Sequence, residues 1–313
     1  MAQPSETFDT YDSIGEREDL SDVIYNISPT DTPFLSSAAK TQATAVLHEW
    51  QTDSLAAAVT NNAVIEGDEA TADAVTATTR LSNSSQILDK VVTITGTQEA
   101  VDKAGRASEI AYQIAKKAKE LKRDLESSLT SNNAEVTGGS STARQLGGLG
   151  SWVATNDVFG TSGVSGSLGN TARTNGTQRA FTEAQLKSVI KSVWNAGGNP
   201  QIIMVGPFNK QKLSGFTGNS TRFDAGADAT LYTSVDVYAS DFGQTQVIPN
   251  RFSRDRDAWV LDMDYWGVAF LRDFSMHELA KTGDTEKRQL LVECTLESRN
   301  EAASGLIADL TTS

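Results

Sequence analysis

The residue types that perform most protein chemistry are few in this chain and lie far apart. It has two histidines, His48 and His277, and one cysteine, Cys294. A zinc site of histidine and cysteine needs several such ligands close together, so the sequence predicts none. Cys294 lies in a run that alternates apolar and polar residues, which is typical of a small buried side chain rather than a nucleophile. A single cysteine also excludes a disulfide within the chain.

Motifs that bind nucleotides or build nucleophilic sites are missing from the sequence as well. There is no Walker loop and no G-x-S-x-G elbow. Gly148 and Gly150 begin a dinucleotide-like pattern, but Val153 holds its third position and no helical pattern follows. The sequence therefore predicts no catalytic residue, no cofactor and no metal site.

Two clusters of acidic residues remain as candidates for binding. The first lacks the glycine and terminal glutamate of an EF-hand loop, so we interpret it as charges of a hairpin turn and of strand edges. It consists of Asp255, Asp257, Asp262 and Asp264. In the second cluster Glu66, Asp68 and Glu69 surround Gly67, which predicts a turn. We interpret these three acids as a solvated loop tip or as partners for basic residues of a neighbour, in preference to a cation site.

The totals describe an acidic chain of one large or two ordinary domains. It has 313 residues, of which 38% are hydrophobic, and a net charge of −13. Such a charge disfavours broad binding to a phosphate backbone, yet it allows nucleic acid to be enclosed without adhesion. No run approaches the roughly 18–20 apolar residues of a membrane helix, and the first residues lack a signal-peptide pattern. We therefore expect a soluble protein made in a reducing cytoplasm.

The most regular segment, residues 106–131, predicts one long helix. Its apolar residues recur at helical spacing and form a single stripe. They are Ile110, Ile114, Ala118, Leu121, Leu125 and Leu129. The other faces alternate basic residues such as Lys116 and Arg123 with acids, which favours a salt-bridged, solvated face over a nucleic-acid surface.

An N-terminal arm precedes this helix. Residues 1–16 are polar and acidic and predict a flexible segment. Thr32 and Pro33 predict the start of a short helix, with Thr32 as its N-cap. Between the acidic segment and this short helix lies a predicted helix with an apolar face. Nothing within the arm covers that face, so it must pack on the rest of its own subunit or on a neighbour. This face consists of Leu20, Val23, Ile24 and Ile27.

A long excursion separates the arm from the helix. Strands are predicted at residues 43–51, with Val46, His48 and Trp50 on one side, and at residues 81–95. Residues 53–79 between them contain five acids but no lysine, arginine or aromatic residue. We predict a two-stranded ribbon with a mobile tip, which needs support from another molecule. A disordered surface loop is the alternative interpretation.

The rest of the chain predicts an α/β section followed by return strands. Thr182 and Gln185 form a capping box for a helix that Gly197 ends. Its predicted buried face consists of Leu186, Val189, Ile190, Val193 and Trp194. The sequence QIIMVG at residues 201–206 predicts a central strand buried on both faces.

Further strands are predicted at residues 230–239, with Leu231, Val235 and Val237 on one side, and at 245–248. Residues 250–257 predict a charged hairpin turn. A later strand carries Glu293 and Glu297 on the face opposite its apolar residues.

The order of these elements resembles that of tailed-phage major capsid proteins, which share the HK-97-like (Johnson) fold. The most specific stretch is DLSDVIYNISPTDTPFLS, and the stretches KVVTITGTQEAVDKAGRASEIAYQIAKKAKELKRDLE and LGGLGSW also fit. They resemble one branch of this family, the capsid proteins similar to those of certain long-headed podophages. The likeness extends over essentially the whole chain.

The resemblance implies an α+β fold with four parts. Residues 1–40 would form the N-terminal arm and 41–95 the extended loop. Residues 96–134 and 266–313 would form the peripheral domain around the long helix, and 135–265 the axial domain. The implied function is a shell of hexamers and pentamers that encloses double-stranded DNA without sequence-specific binding, in the virion and after assembly in the host cytoplasm.

The implied partners are many copies of the chain, with separate scaffolding, portal and decoration proteins as further possibilities and no membrane. The predicted contacts between subunits are the arm residues Leu20, Val23, Ile24 and Ile27, the loop acids Glu66, Asp68 and Glu69, and the helix residues Lys116 and Arg123. Two alternatives stay open from the residues alone: another phage structural component of the tail or fibre, and a cytoplasmic enzyme with an unrecognised site in the α/β section.

Overall fold

The structure is a computed structural model and describes residues 31–69, 72–103, 105–216 and 236–313. The arm residues Leu20, Val23, Ile24 and Ile27 lie outside the described residues, as do Leu231 and Val235 of one predicted strand. The helices are α1 (Pro33–Ser37), α2 (Gly96–Ala100), α3 (Glu109–Leu129), α4 (Leu149–Trp152), α5 (Glu183–Asn195) and α6 (Pro207–Ser214). The strands are β1 (Ala39–Gln42), β2 (Leu47–Thr52), β3 (Thr79–Ser84), β4 (Gln86–Thr95), β5 (Asp157–Val158), β6 (Ile202–Val205), β7 (Val237–Ser240), β8 (Gly243–Pro249), β9 (Ala258–Leu261), β10 (Trp266–Leu279), β11 (Thr285–Ser298) and β12 (Gly305–Ile307).

The long helix α3 lies against a four-stranded sheet with the order β1-β10-β11-β4. The predicted helix is confirmed, but it begins at Glu109, where the Ser108 hydroxyl accepts a hydrogen bond from the Ala111 amide. Leu121, Leu125 and Leu129 are fully buried, whereas the N-terminal half of the stripe is only half-buried. The helix is therefore held mainly by the apolar side chains of its last turns.

A six-stranded sheet with the order β5-β12-β9-β6-β8-β7 forms the second layer. The predicted central strand is confirmed as β6, which runs parallel to β8 and antiparallel to β9. Because β6 lies between β8 and β9, the prediction of a hairpin over residues 250–257 is wrong. The segment crosses the end of β6 instead, and the Asn250 amide donates to the Val205 carbonyl.

Helix α5 packs on one face of this sheet and begins with the predicted capping box of Thr182 and Gln185. Val193 is fully buried, but the prediction that Trp194 is buried is wrong, because 53% of its surface is exposed. Its ring stacks on that of Phe242, with 5.2 Å between centroids. The helix therefore buries a narrower stripe than its sequence spacing indicates.

The two sheets share one apolar core. Met204, Trp259 and Leu306 of the six-stranded sheet pack with Val268 and Val292 of the four-stranded sheet and with α3. The opposite face of the six-stranded sheet packs on α5 in a second core. Burial on both faces explains why β6 and β9 are continuous apolar runs rather than alternating ones.

The ribbon consists of β2 and β3, which pair antiparallel from Leu47 with Ser84 to Thr52 with Thr79. The predicted return strand is divided, because the chain passes from β3 to β4 at Ser85 and β4 joins the four-stranded sheet beside β11. Among the described residues between β2 and β3, none belongs to a helix or strand. We call residues 53–78 the projecting loop.

Candidate functional site

The groups that most often perform chemistry do not come together in the described part of the chain. Within residues 31–69, 72–103, 105–216 and 236–313, no group of three or more histidine, cysteine, aspartate or glutamate residues could hold a metal ion. Cys294 is fully buried, as predicted, and burial raises the pKa of its thiol to about 12. No described helix is long and apolar enough to cross a membrane. The surfaces available for contact with other molecules are therefore the candidate site.

The projecting loop exposes apolar and acidic side chains together. Its five large aliphatic residues are between 73% and 99% exposed, an unusual degree for such side chains. They are Leu55, Val59, Val64, Ile65 and Val75. A loop with this composition has surface to bury against another molecule.

The tip of the projecting loop is a defined turn. The Asp68 amide donates to the Ile65 carbonyl over 3.1 Å, and Gly67 has a φ of +85°, which glycine adopts without strain. This turn confirms the prediction at Gly67. Glu66, Asp68 and Glu69 are exposed, and no ion pair among the described residues includes any of them. Their carboxylates are therefore available for ion pairs with another molecule.

The base of the ribbon, in contrast, is fastened to the body. The Trp50 indole donates to the Ser298 carbonyl over 2.7 Å, and its ring lies 5.4 Å from that of the buried Trp152. Asn83 is fully buried: its amide group donates to the Leu296 carbonyl and accepts from the Gly147 amide, each over 2.8 Å. No local sequence pattern predicts the role of Asn83, because its partners lie 64 and 213 positions away.

A buried carboxylate, Glu297, joins the ribbon base to two other segments. Its oxygens lie 3.5 Å from His48 Nε2, 3.0 Å from the Thr41 hydroxyl and 3.1 Å from Arg299 Nε. The contact with His48, supported by Arg299 and Thr41, lowers the pKa of Glu297 to about 2. Glu293 is also buried and pairs with Arg144 and Arg272 over 2.5 and 2.7 Å.

These two glutamates were correctly predicted to face away from the apolar side of β11. However, that face is covered by the ribbon and by the loop that carries Arg144.

A third buried carboxylate, Glu126, contacts the first helix of the described chain. One of its oxygens accepts from the Phe34 amide over 2.8 Å and from the Asn250 side chain over 2.7 Å, and the other accepts from the Leu35 amide over 2.8 Å. Burial raises the pKa of Glu126 despite these donors. The start of α1 is confirmed, with Thr32 at the N-cap position and Pro33 in the first turn, but the Thr32 side chain makes no capping hydrogen bond. Glu126 instead accepts from the amides of the first turn.

The basic residues of α3 differ in their exposure and in their contacts within the subunit. Lys116 is exposed. Arg123 is half-buried, and its guanidinium lies 5.1 Å from the centroid of the Phe252 ring in the same subunit. Lys117 pairs with Glu120 on the helix itself, as the alternating charges predict. Of the two predicted contact residues on this helix, Lys116 is therefore the more available.

Within the acidic cluster of the α/β section, Asp255 and Asp264 are exposed but Asp257 and Asp262 are buried, so the interpretation as hairpin and strand-edge charges is wrong in part. Asp257 and Arg173 are both fully buried and joined over 2.8 Å, and burial raises the pKa of Asp257. Asp262 is buried and accepts from the Asn199 amide over 3.0 Å. Arg173 follows a glycine-rich and serine-rich segment whose sequence gave no sign of a buried ion pair. These groups hold loops to the six-stranded sheet.

Comparison with known proteins identifies a matching family over almost the whole chain. The sequence model of the SU10 major capsid protein family matches residues 3–311. A curated relative, the major capsid protein of Escherichia phage Phieco32, is 30% identical over 345 residues, which cover 98% of this chain and 97% of the relative.

Solved structures show the same fold at low sequence identity. The cyanophage A-1(L) capsid asymmetric unit matches with a TM-score of 0.67 and 14% identity, over 97% of this chain and 99% of that one. Mycobacterium phage Adephagia matches with a TM-score of 0.62 and 11% identity, over 95% and 96%. These likenesses confirm the predicted α+β, HK-97-like fold. The comparisons give no support to a tail or fibre component or to a cytoplasmic enzyme.

Proposed function

Because this chain belongs to the SU10 major capsid protein family and is a structural component of a phage capsid, we propose that its activity is assembly with copies of itself into hexamers and pentamers. One observation supports this most directly. The ribbon has a base fastened by buried polar groups, whereas its loop exposes aliphatic and acidic residues. A subunit that binds its neighbours through this loop would bury that surface in the shell.

We place the contacts between subunits at three sets of residues. The loop acids Glu66, Asp68 and Glu69 face basic residues of an adjacent copy, for which Lys116 is one exposed candidate. Arg123 is a second candidate, although its guanidinium lies 5.1 Å from the Phe252 ring of its own subunit. The apolar arm residues Leu20, Val23, Ile24 and Ile27 cover a surface of a neighbouring subunit. Apolar burial provides most of the energy, and the charges select the partner.

We propose the four predicted parts with two boundaries moved. The arm remains residues 1–40. Pairing of β4 with β11 supports ending the extended loop near residue 85 rather than 95. Pairing of β12 with β9 and β5 supports assigning residues 305–313 to the axial domain with residues 135–265. The peripheral domain is then the four-stranded sheet with α3.

The remaining partners follow from the capsid role. We propose that the shell encloses double-stranded DNA without sequence-specific contacts, since the chain carries a net charge of −13. Assembly takes place in the host cytoplasm, with separate scaffolding and portal proteins and with decoration proteins on the finished shell. We assign the chain no enzymatic activity.

A loop deletion tests the proposal. The variant replaces residues 55–77 by a short glycine-serine linker and is expected to give a folded subunit that forms no closed particles, while the unaltered chain forms them with its scaffolding protein. Circular dichroism checks folding, and mass photometry with negative-stain microscopy checks assembly. Normal particles from the variant, or an unaltered chain that stays monomeric under all conditions, would contradict the proposed role.

A further inference from the structure

A groove of about 620 Å³ opens where the four-stranded sheet is incomplete. β1 pairs with β10 only from Gly267 to Phe270. Beyond Phe270 the register of β10 against β11 shifts twice, before Arg272 and again before Ser275. Such bulges kink a strand and leave residues outside the ladder. The groove lies beside this kink, between α1, the end of β1 and the middle of α3.

The groove combines an apolar floor with a basic rim. Leu35, Phe270 and Phe274 provide apolar surface, and Phe274 is 38% exposed. Lys40 and Lys122 stand on the rim and are exposed, and the Lys122 ammonium lies 5.9 Å from the Phe274 ring centroid.

Neither lysine forms an ion pair with a described residue. Asp273 is the single acid among the lining residues. The groove therefore fits a ligand that is aliphatic at one end and acidic at the other.

The tip of the projecting loop has this chemistry. Val64 and Ile65 are 84% and 78% exposed and are followed directly by Glu66, Asp68 and Glu69. The turn from Ile65 to Asp68 is already formed, so docking would order few further residues. Two aliphatic side chains fit the floor, and the acids fit the lysines of the rim.

We propose that this groove receives the segment Val64–Glu69 of a second copy of the chain. The proposal rests on the proposed assembly function and deepens it, because it names the receiving surface on the adjacent subunit. It also assigns the main basic partners of the loop to Lys40 and Lys122 rather than to Arg123, which is engaged with Phe252. The competing occupant is the arm, since the chain enters the described region at Asp31, next to the groove residue Thr32.

Disulfide trapping in assembled particles distinguishes these occupants. The chain suits this method, because its natural thiol, Cys294, is fully buried. Asp68→Cys on the loop and Ser36→Cys on the groove rim both alter exposed residues. Mild oxidation of particles that carry both substitutions is expected to give a ladder of covalent dimers and higher oligomers on a non-reducing gel. Each single variant should give none.

The matched control combines Asp68→Cys with Ser127→Cys. Ser127 is an exposed residue of α3 that lines a different surface depression, beside Phe252 and Arg254. The control should form particles but no ladder. Particles of the test variant without a ladder would overturn the groove assignment and leave the assembly function intact. A ladder from Ile24→Cys with Ser36→Cys, but not from the loop pair, would also overturn it, because the arm would then occupy the groove.

Charge reversal provides a second measurement that does not need a cysteine. Lys40→Glu with Lys122→Glu should lower the yield of particles by about 1.4- to fivefold per lost contact. Adding Glu66→Lys and Asp68→Lys to the same chain should restore most of that yield, since each pair is then complementary again. Circular dichroism checks that both proteins are folded. If they are folded and the second pair of substitutions does not restore assembly, contact between loop and groove is contradicted.

Discussion

The base and the tip of the ribbon belong to one continuous segment, yet their environments are opposite. At the base, His48, Trp50 and Asn83 contact buried groups of the body through rings, carbonyls and a carboxylate. At the tip, Ile65 and its neighbouring acids face solvent. We therefore expect the base of the ribbon to contribute to subunit stability and the tip to contribute to assembly. Changes at the base should weaken the subunit, whereas changes at the tip should weaken only the shell.

The largest effect should come from Trp50→Ala. This change removes the hydrogen bond to the Ser298 carbonyl and the contact with Trp152, and it leaves a cavity at the ribbon base. We expect the free energy of unfolding to fall by about 3 kcal/mol in chemical denaturation, in line with other large aromatic truncations.

Leu55→Ala on the projecting loop is the matched control, because Leu55 is 99% exposed. Its cost should stay within about 0.5 kcal/mol. Equal losses from the two changes would remove the distinction between base and loop.

A smaller effect with a defined pH dependence is expected from Glu297→Gln. The pKa of Glu297 is about 2 in the folded chain, against an ordinary value of 4.5. A lowered pKa adds stability above pH 4.5, and this stability is lost as pH falls toward 2. The difference between the two pKa values corresponds to at most about 3 kcal/mol of unfolding free energy. We expect the variant to be about 2 kcal/mol less stable at pH 7, since its amide still accepts from Thr41.

The gap between the natural chain and Glu297→Gln should close between pH 4.5 and 2. Unfolding curves at several pH values measure it. A gap that does not change with pH would show that packing, rather than the charge on Glu297, holds the ribbon base.

Glu126→Gln should cost less and show the opposite pH dependence. The amide retains an acceptor for one or two of the three donors, so we expect a loss of about 1 kcal/mol at neutral pH. Because the pKa of Glu126 is raised above 4.5, its stabilising contribution is complete below that pH and is lost as pH rises through the folded value. The difference in stability between the natural chain and the variant should therefore shrink as pH rises. A difference that grows with pH would contradict the raised pKa.

The sequence predicts what is local and misses what is distant. The stripe of α3, the capping box at Thr182 and the buried strand β6 all depend on residues a few positions apart, and all were predicted correctly. Glu126 and Phe34 are separated by 92 positions, so no local pattern connects them. Trp194 shows a further limit, since helical spacing gives the direction of a side chain but not the width of the sheet beneath it.

The smallest effect on the subunit, and the sharpest test of the comparison, is expected at the tip. Glu66→Gln, Asp68→Asn and Glu69→Gln together remove three exposed charges that form no ion pair with a described residue. Subunit stability should change by less than about 0.5 kcal/mol. Particles should nevertheless dissociate at lower salt or lower temperature. An exposed ion pair contributes only about 0.2–1 kcal/mol, but the shell repeats it in every subunit. Asp53→Asn with Asp73→Asn, away from the turn, is the control and should leave particles unchanged. If the tip variant lowers subunit stability as much as Glu126→Gln does, the tip supports its own subunit and the separation along the ribbon fails.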